Sequence, residues 1–318
     1  MNKSNYKVFL LGNGFDLAHG LETKYSHFIK SLESIDYSDE DKFSRAFIKH
    51  PYSNQQSHKK ILKSSVLRKV NEESDDSHWA DIELTYFLLL KERLKNSKKT
   101  KGKPLLLIQK FNNEFEDVKF LLEEYLLDQE KNLKNKIDSF EKLFGQVGSR
   151  NGLIISLNYT DVLKIMYQDY SLVSYHIHGK LKDDFNPIIF GFSPSSDELR
   201  ELLDENENEL LRNIKQTYYK KGPLNKAIGQ INFRTVTNHE YFDLHIIGAS
   251  CGLSDKIILE ELINHEKLMK IYIHYYKGFD DYRNIQINLM RTVGEKIILK
   301  KLAPFSECNP IGKLNTES

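Results

Sequence analysis

The chain has 318 residues, enough for more than one average domain and for a sizeable buried core. Its 46 Lys and Arg nearly cancel its 45 Asp and Glu, so no global field draws it to nucleic acid or to an anionic membrane. Two cysteines, Cys251 and Cys308, with no CxxC pair, exclude a disulfide framework and a four-cysteine zinc module, and fit a reducing cytoplasm.

The opening apolar run is too short for a signal peptide, and no segment approaches the roughly 20 apolar residues of a membrane span. From residue 7, "KVFLLGNG" reads as a strand buried on both faces: a short, continuous, branched apolar run closed by a turn signal. From about Asp41 to Leu143, glycine almost disappears, and apolar residues fall at helical spacing among lysines and glutamates. This predicts a helical insertion, in which "IELTYFLLLKERLK" and "FNNEFEDVKFLLEEYLLDQEKNLKNKIDSFEKLF" are the clearest helices; "KNSKKTKGK" at 95–103 reads as a solvated loop between two of them. Within it, Trp79, Asp81 and Glu83 open a helix, where acids suit the helix dipole without any chemistry.

Further on, "GLIISLNYTD" and "FDLHIIGASCG" repeat the buried-strand pattern, with "VSYHIHG", "PIIFGFS" and "KIYIHYYK" as shorter candidates. Helical periodicity follows in "DVLKIMYQDY" and "SDKIILEELINHEKLMK", and a charged helical piece, "SSDELRELLDENENELLRNIKQTYYKK", precedes the "FDLHIIGASCG" run. Strands alternating with helices predict a parallel, helix-covered sheet. The closing "ECNPIGKLNTES" lacks an apolar pattern and reads as frayed.

The polar residues that matter fall where these strands stop, at the carboxyl edge where open α/β sheets bind ligands. Gly12-Asn13-Gly14 would aim backbone N–H groups at a phosphate over a helix N-terminus, but it is equally the form of a plain strand-to-helix turn. Leu17 stands where the dinucleotide fingerprint wants its third glycine, which disfavours a regular dehydrogenase. Asp16 beside that loop would hold a ribose hydroxyl or cap a helix. Asn158 ends its strand with an amide able to fix a water or a sugar hydroxyl; its alternative is a helix cap. His176 and His178 lie on one side of an extended segment, with Gly179 admitting a close neighbour, and a histidine suits a general base. Gly248, Ala249 and Ser250 would let a ligand lie against the backbone, with Asp255 starting a helix beyond. The G-x-S-x-G spacing around Ser250 also raises an esterase, whose base would have to be His265 or His274.

In order, "GNGFDLAHGLETKY", "WADIE", "LNYTD", "HIHG", "FGFS" and "IIGASCGLSD" resemble the AbiH family of bacterial phage-defence proteins, itself similar to the SIR2-like NAD-consuming enzymes. Gly12, Gly14, Gly20 and Leu21 match the sirtuin glycine loop, Asn158 the Gln-Asn-x-Asp segment, His178-Gly179 the catalytic His-Gly, and Gly248-Ala249-Ser250 the late Gly-Thr-Ser loop. Asp161 comes one residue late for that pattern, and the sirtuin zinc ribbon after His-Gly is missing, which argues against protein deacylation.

The resemblance implies a SIR2-like (Rossmann-like) α/β domain from 1–40 and 146–302, a helical insertion at 41–145 and a tail at 303–318. It implies an abortive-infection effector that consumes NAD as substrate without a metal. Asn158 and His178 would be catalytic, and Gly12, Asn13, Gly14, Asp16, Gly248, Ser250 and Asp255 would hold the nucleotide. Expected partners are NAD or a related nucleotide, a phage trigger or co-encoded protein, and further copies of the chain, with neither membrane nor nucleic acid. A non-catalytic nucleotide sensor and a nucleic-acid-targeting effector are the competing readings.

Overall fold

The computed structural model describes residues 6–48, 60–73, 79–99, 104–145, 151–170, 172–219 and 222–311. In chain order its main elements are β1 (Tyr6–Leu11), α1 (Asn13–Ala18), α2 (Tyr25–Glu33), α3 (Glu40–Ala46), α4 (Ser65–Glu73), α5 (Trp79–Lys99), α6 (Pro104–Glu130), α7 (Asp138–Gly145), β2 (Gly152–Ser156), α8 (Val162–Tyr167), β3 (Val173–His176), α9 (Ser196–Asp204), α10 (Gln216–Tyr219), α11 (Pro223–Thr237), β4 (Phe242–Ile247), α12 (Lys256–Ile263), β5 (Leu268–His274), α13 (Phe279–Val293) and α14 (Glu295–Lys301).

The chain divides into two compact units, one comprising Met1–Leu21, Gln129–Ile188 and Tyr218–Ser318, the other Glu22–Asp128 and Ile189–Thr217. The first holds a five-stranded parallel sheet in the order β3-β2-β1-β4-β5. This is the order of a doubly wound, Rossmann-like sheet, whose strand order reverses between β1 and β4. Alternation along each strand sends Val8, Leu10, Leu153, Ile155, Leu244 and Ile246 to one face, where α11, α12, α13 and α14 cover them. Phe9, Leu11 and Ile154 go to the other, under α1, α7 and α8. Both faces are buried, which is why the strands read as unbroken apolar runs.

The boundaries differ from the sequence expectation. Helix α7 belongs with the sheet because Phe140 and Phe144 pack on Phe9, Phe15 and Tyr167. The segment 189–217 belongs with the helices, since Phe190 stacks on Phe115 and Phe192 on Phe87. "PIIFGFS" is therefore not a sheet strand. Among the described residues Phe192 pairs only with Ile214, and Gly191 sits so close that a Cβ there would lie 2.1 Å from the Asn213 carbonyl oxygen. The helix predicted through "NHEKLMK" ends at Ile263, and Leu268 already pairs with Phe242 as the start of β5.

The predicted frayed tail packs instead. Ala303 N–H donates to Ile271, Pro310 pairs with Tyr275, and Cys308 and Ile311 are buried; residues 312–318 lie outside the described set. So do 100–103 of the lysine-rich stretch and the side chains of Trp79 and Asp81; residues 95–99, expected in a loop, instead continue α5 to Lys99. Glu83, by contrast, is fully accounted for in the helical unit. It pairs with buried Lys215 at 2.7 Å and accepts from Gly191 N–H.

Removing one member of that pair leaves a buried charge uncompensated, so Glu83→Gln is expected to cost about 3–5 kcal/mol in urea unfolding, and the apolar double variant Glu83→Leu/Lys215→Met to recover most of it. In the sheet unit, a Cβ at Gly248 would sit 2.4 Å from Phe15 N at φ +66, whereas one at Gly20, φ +81, meets nothing within 4 Å. Gly20→Ala should cost about 1 kcal/mol, and Gly248→Ala several times more, because only there must backbone move.

Candidate functional site

The loops after β1, β2, β3 and β4 meet at the carboxyl edge of the sheet. Gly14 N–H donates to the Gly248 carbonyl at 2.8 Å, and Gly12 N–H to Ile247 at 2.9 Å. A Cβ on Gly12 would fall 2.5 Å from Ala249 Cα, and one on Gly14 2.6 Å from Gly248 Cα. The glycines thus serve first to let two backbones touch, and the Gly14 N–H is committed to the protein itself. Gly179 follows the same logic: at φ +85 it admits the Pro187 carbonyl, which would lie 2.0 Å from a Cβ.

The short helix α1 begins at half-buried Asn13 and carries Asp16 on its inner face. One Asp16 oxygen accepts from the Asn158 amide at 2.8 Å, the other from the Thr160 hydroxyl at 2.5 Å. The same Asn158 amide donates to the Gly12 carbonyl at 3.0 Å, so its nitrogen is spent on two acceptors and its orientation is fixed. Asn158 is therefore not a cap of α8, and both Asp16 oxygens already accept a hydrogen bond from the loop after β2. Burial pushes the Asp16 carboxyl from 3.8 up to about 7, against the lowering effect of Thr160 and Asn158.

The two histidines part company. His176 Nδ1 donates to the Asn158 carbonyl at 2.9 Å, and its Nε2 lies 3.6 Å from Asp161, which also takes Lys180 at 3.2 Å. Burial would raise Asp161, yet the His176 hydrogen bond and the Lys180 charge hold its carboxyl below its ordinary value. Its N–H in turn donates to Glu130, whose own carboxyl burial raises. His176 is thus a tie between strands. His178 stands beside Tyr159, with its Nε2 3.5 Å from the Asp255 carboxylate, and both residues are buried.

Ser250 is exposed, and its carbonyl accepts from Asn288. The two histidines downstream of it have partners elsewhere, His265 on Asn232 and His274 on His245. The esterase reading is set aside on that geometry. Among the described residues, no group of three or more His, Cys, Asp or Glu is gathered to hold a metal ion.

Of the nine residues expected at the site, Gly12, Gly14, Asp16, Asn158 and Gly248 are joined through direct contacts, His178 and Asp255 form a separate pair, Asn13 lies half-buried at the start of α1, and the Ser250 carbonyl is bound to Asn288. Thr160, Glu130 and Lys180 were missed. Thr160 stood two residues beyond Asn158 on the same loop, but nothing in the sequence near Glu130 or Lys180 set them apart.

Fold and edge together define a Rossmann-like α/β domain with a polar, partly buried site at the sheet's switch point, joined to a helical unit. A family model for bacteriophage abortive infection AbiH matches residues 8–276, and the chain belongs to that family. No curated protein and no solved structure matches.

The Asp16 shift has a measurable consequence. The folded protein holds this proton more tightly than the unfolded chain, so the stability it contributes is complete below the ordinary value of 3.8 and is lost as pH rises through about 7. Asp16→Asn, neutral and nearly isosteric, should flatten that part of the stability–pH profile in urea titrations and be more stable than wild type above pH 7.

Proposed function

We propose that this antiphage protein binds NAD across the carboxyl edge of its sheet and hydrolyses the nicotinamide–ribose bond, as a SIR2-like glycohydrolase would. The observation that carries the reading is that, at the switch point, Asn158 is bonded to the loop after β1 and His178 stands beside Asp255 of the loop after β4. That is where doubly wound sheets hold dinucleotides.

Leaving-group departure develops oxocarbenium character on the ribose, so the protein has to orient a water, polarise the ribose hydroxyls and exclude other nucleophiles. In this reading the backbone at Gly12–Gly14 and Gly248–Ser250 forms a floor under the diphosphate rather than a cradle of unused N–H groups. Asn158, with its side-chain nitrogen bound to Asp16 and Gly12, offers its side-chain amide oxygen to the water. His178 takes a ribose hydroxyl proton. Asp16, with both oxygens engaged by the loop after β2, holds Asn158 in place. The family's place in abortive infection fits such chemistry, since loss of NAD stops the host cell along with the phage.

Purified wild type incubated with NAD, alone and with phage lysate added, is expected to release nicotinamide. His178→Ala and Asn158→Ala should each reduce release about 10²-fold or more while NAD binding, followed by calorimetry, falls less. Absence of release from wild type under both conditions overturns the hydrolase reading; binding without release favours a nucleotide sensor.

A further inference from the structure

We propose that Asp255 is a positioning residue for His178, holding its imidazole as the Nε2–H tautomer so that Nδ1 carries the lone pair. This deepens the reading of His178 as the base and rests on it for its catalytic meaning, but the contact itself is independent of that reading.

Three observations carry it. The first is topological. His178 follows β3 and Asp255 follows β4, strands separated by β2 and β1, so about 14 Å at a spacing of ~4.8 Å must be spanned by loops before the side chains can meet. They end 3.5 Å apart, both buried.

The second is the fate of Asp255 itself. It stands at the N-terminus of α12, where an aspartate ordinarily caps the helix, yet its side chain makes no capping hydrogen bond. Its carboxylate is turned to His178 instead.

The third is the rigidity of the loop that delivers it. The Ser250 carbonyl accepts from Asn288 at 2.9 Å and the Cys251 carbonyl from Thr292 at 3.1 Å, both on α13. Cys251 adopts φ +56, and Asp255 N–H closes a turn on Gly252. A carboxylate held this firmly beside an imidazole fixes which nitrogen bears the proton, as second-layer acceptors do for histidines elsewhere. His176, two residues earlier at the end of β3, offers the contrast: its Nδ1 is occupied by the Asn158 backbone carbonyl and its other nitrogen faces Asp161. At 3.5 Å the Asp255 contact is longer than a mature hydrogen bond, and such catalytic contacts commonly tighten when substrate binds.

The test uses the full chain labelled with ¹⁵N-histidine, the His178 ring signals being assigned by their loss in His178→Gln. Wild type at pH 8 is expected to give the Nε2–H pattern, and Asp255→Ala a shift of population toward Nδ1–H. Should Asp255→Ala fail to fold, Asp255→Asn, which keeps the shape but not the charge, is expected to give a mixture of tautomers. An Nδ1–H pattern in wild type, or an unchanged spectrum in a folded variant, overturns the proposal. In the nicotinamide-release assay, Asp255→Asn should lower kcat about 10²-fold with KM within threefold of wild type. A rise in KM with kcat kept would mean that Asp255 holds the nucleotide, and would also overturn it. If wild type releases no nicotinamide, the hydrolase reading fails, while the tautomer spectra still decide whether Asp255 positions His178.

Discussion

The contact on which the site depends is made of backbone alone. After β1 and β4 the chain crosses itself with no side chain between, Gly12 and Gly14 against Gly248 and Ala249, and the Gly14 N–H is drawn onto the Gly248 carbonyl. Everything at the sheet edge inherits its position from that crossing. It sets where α1 starts, hence where Asp16 stands; Asp16 and the Gly12 carbonyl orient the Asn158 amide; and the Asn158 carbonyl fixes His176. Any β-carbon inserted there would push two strands' loops apart and move each of those groups in turn. Glycine at these positions is thus a packing requirement before it is a ligand-binding one.

A second consequence follows from how dry the edge is. The face of the sheet beneath Asp16 is closed by Phe15, Phe140, Phe144 and Tyr167, and His19 is bound into the same cluster, between the Phe15 carbonyl and the Tyr167 hydroxyl. Burial there pushes His19 down and Asp16 up, the same cause acting on opposite charges. A carboxyl near half-protonation at neutral pH costs less to bury than an ionised one, and it still locks Asn158. Where a charge is kept, at Asp161, it has both His176 and Lys180 beside it. The edge therefore separates buried groups whose charged forms are disfavoured, on the β1 side, from a compensated ionic cluster beyond β2.

How much of this was legible in the sequence differs by level. Parallel strands buried on both faces write themselves as continuous apolar runs, so β1, β2 and β4 were plain, and the shorter β3 and β5 stood among the lesser candidates. "PIIFGFS" has the same local signature, but its phenylalanines pair with Phe87 and Phe115 across the helical unit, and only that packing decides its fate. The domain boundaries failed for a like reason: α7 looks no different from the insertion's helices until Phe144 meets Phe9. Strand ends flagged Asn158, His178 and Gly248 as site residues. Their roles were not legible, because these are set by partners far along the chain, Asn158 with Asp16 142 residues away and Glu83 with Lys215 132 away.

The departure from the dinucleotide fingerprint at Leu17 has a structural counterpart. Helix α1 has six residues, and the chain turns away at Gly20 in the left-handed region. A helix of one and a half turns gathers little macrodipole, and its first N–H groups are partly consumed by the crossing loop, so it offers an anion far less than the long first helix of a dehydrogenase. Under the proposed nucleotide reading, recognition at this edge shifts from backbone to side chains. Those available come from three other loops, Asn158 after β2, His178 after β3 and Asp255 after β4, and they are groups that take hydroxyls and move protons rather than groups that neutralise phosphate. That is why the proposed reading places chemistry at a sugar carbon here rather than a cofactor held through a hydride transfer.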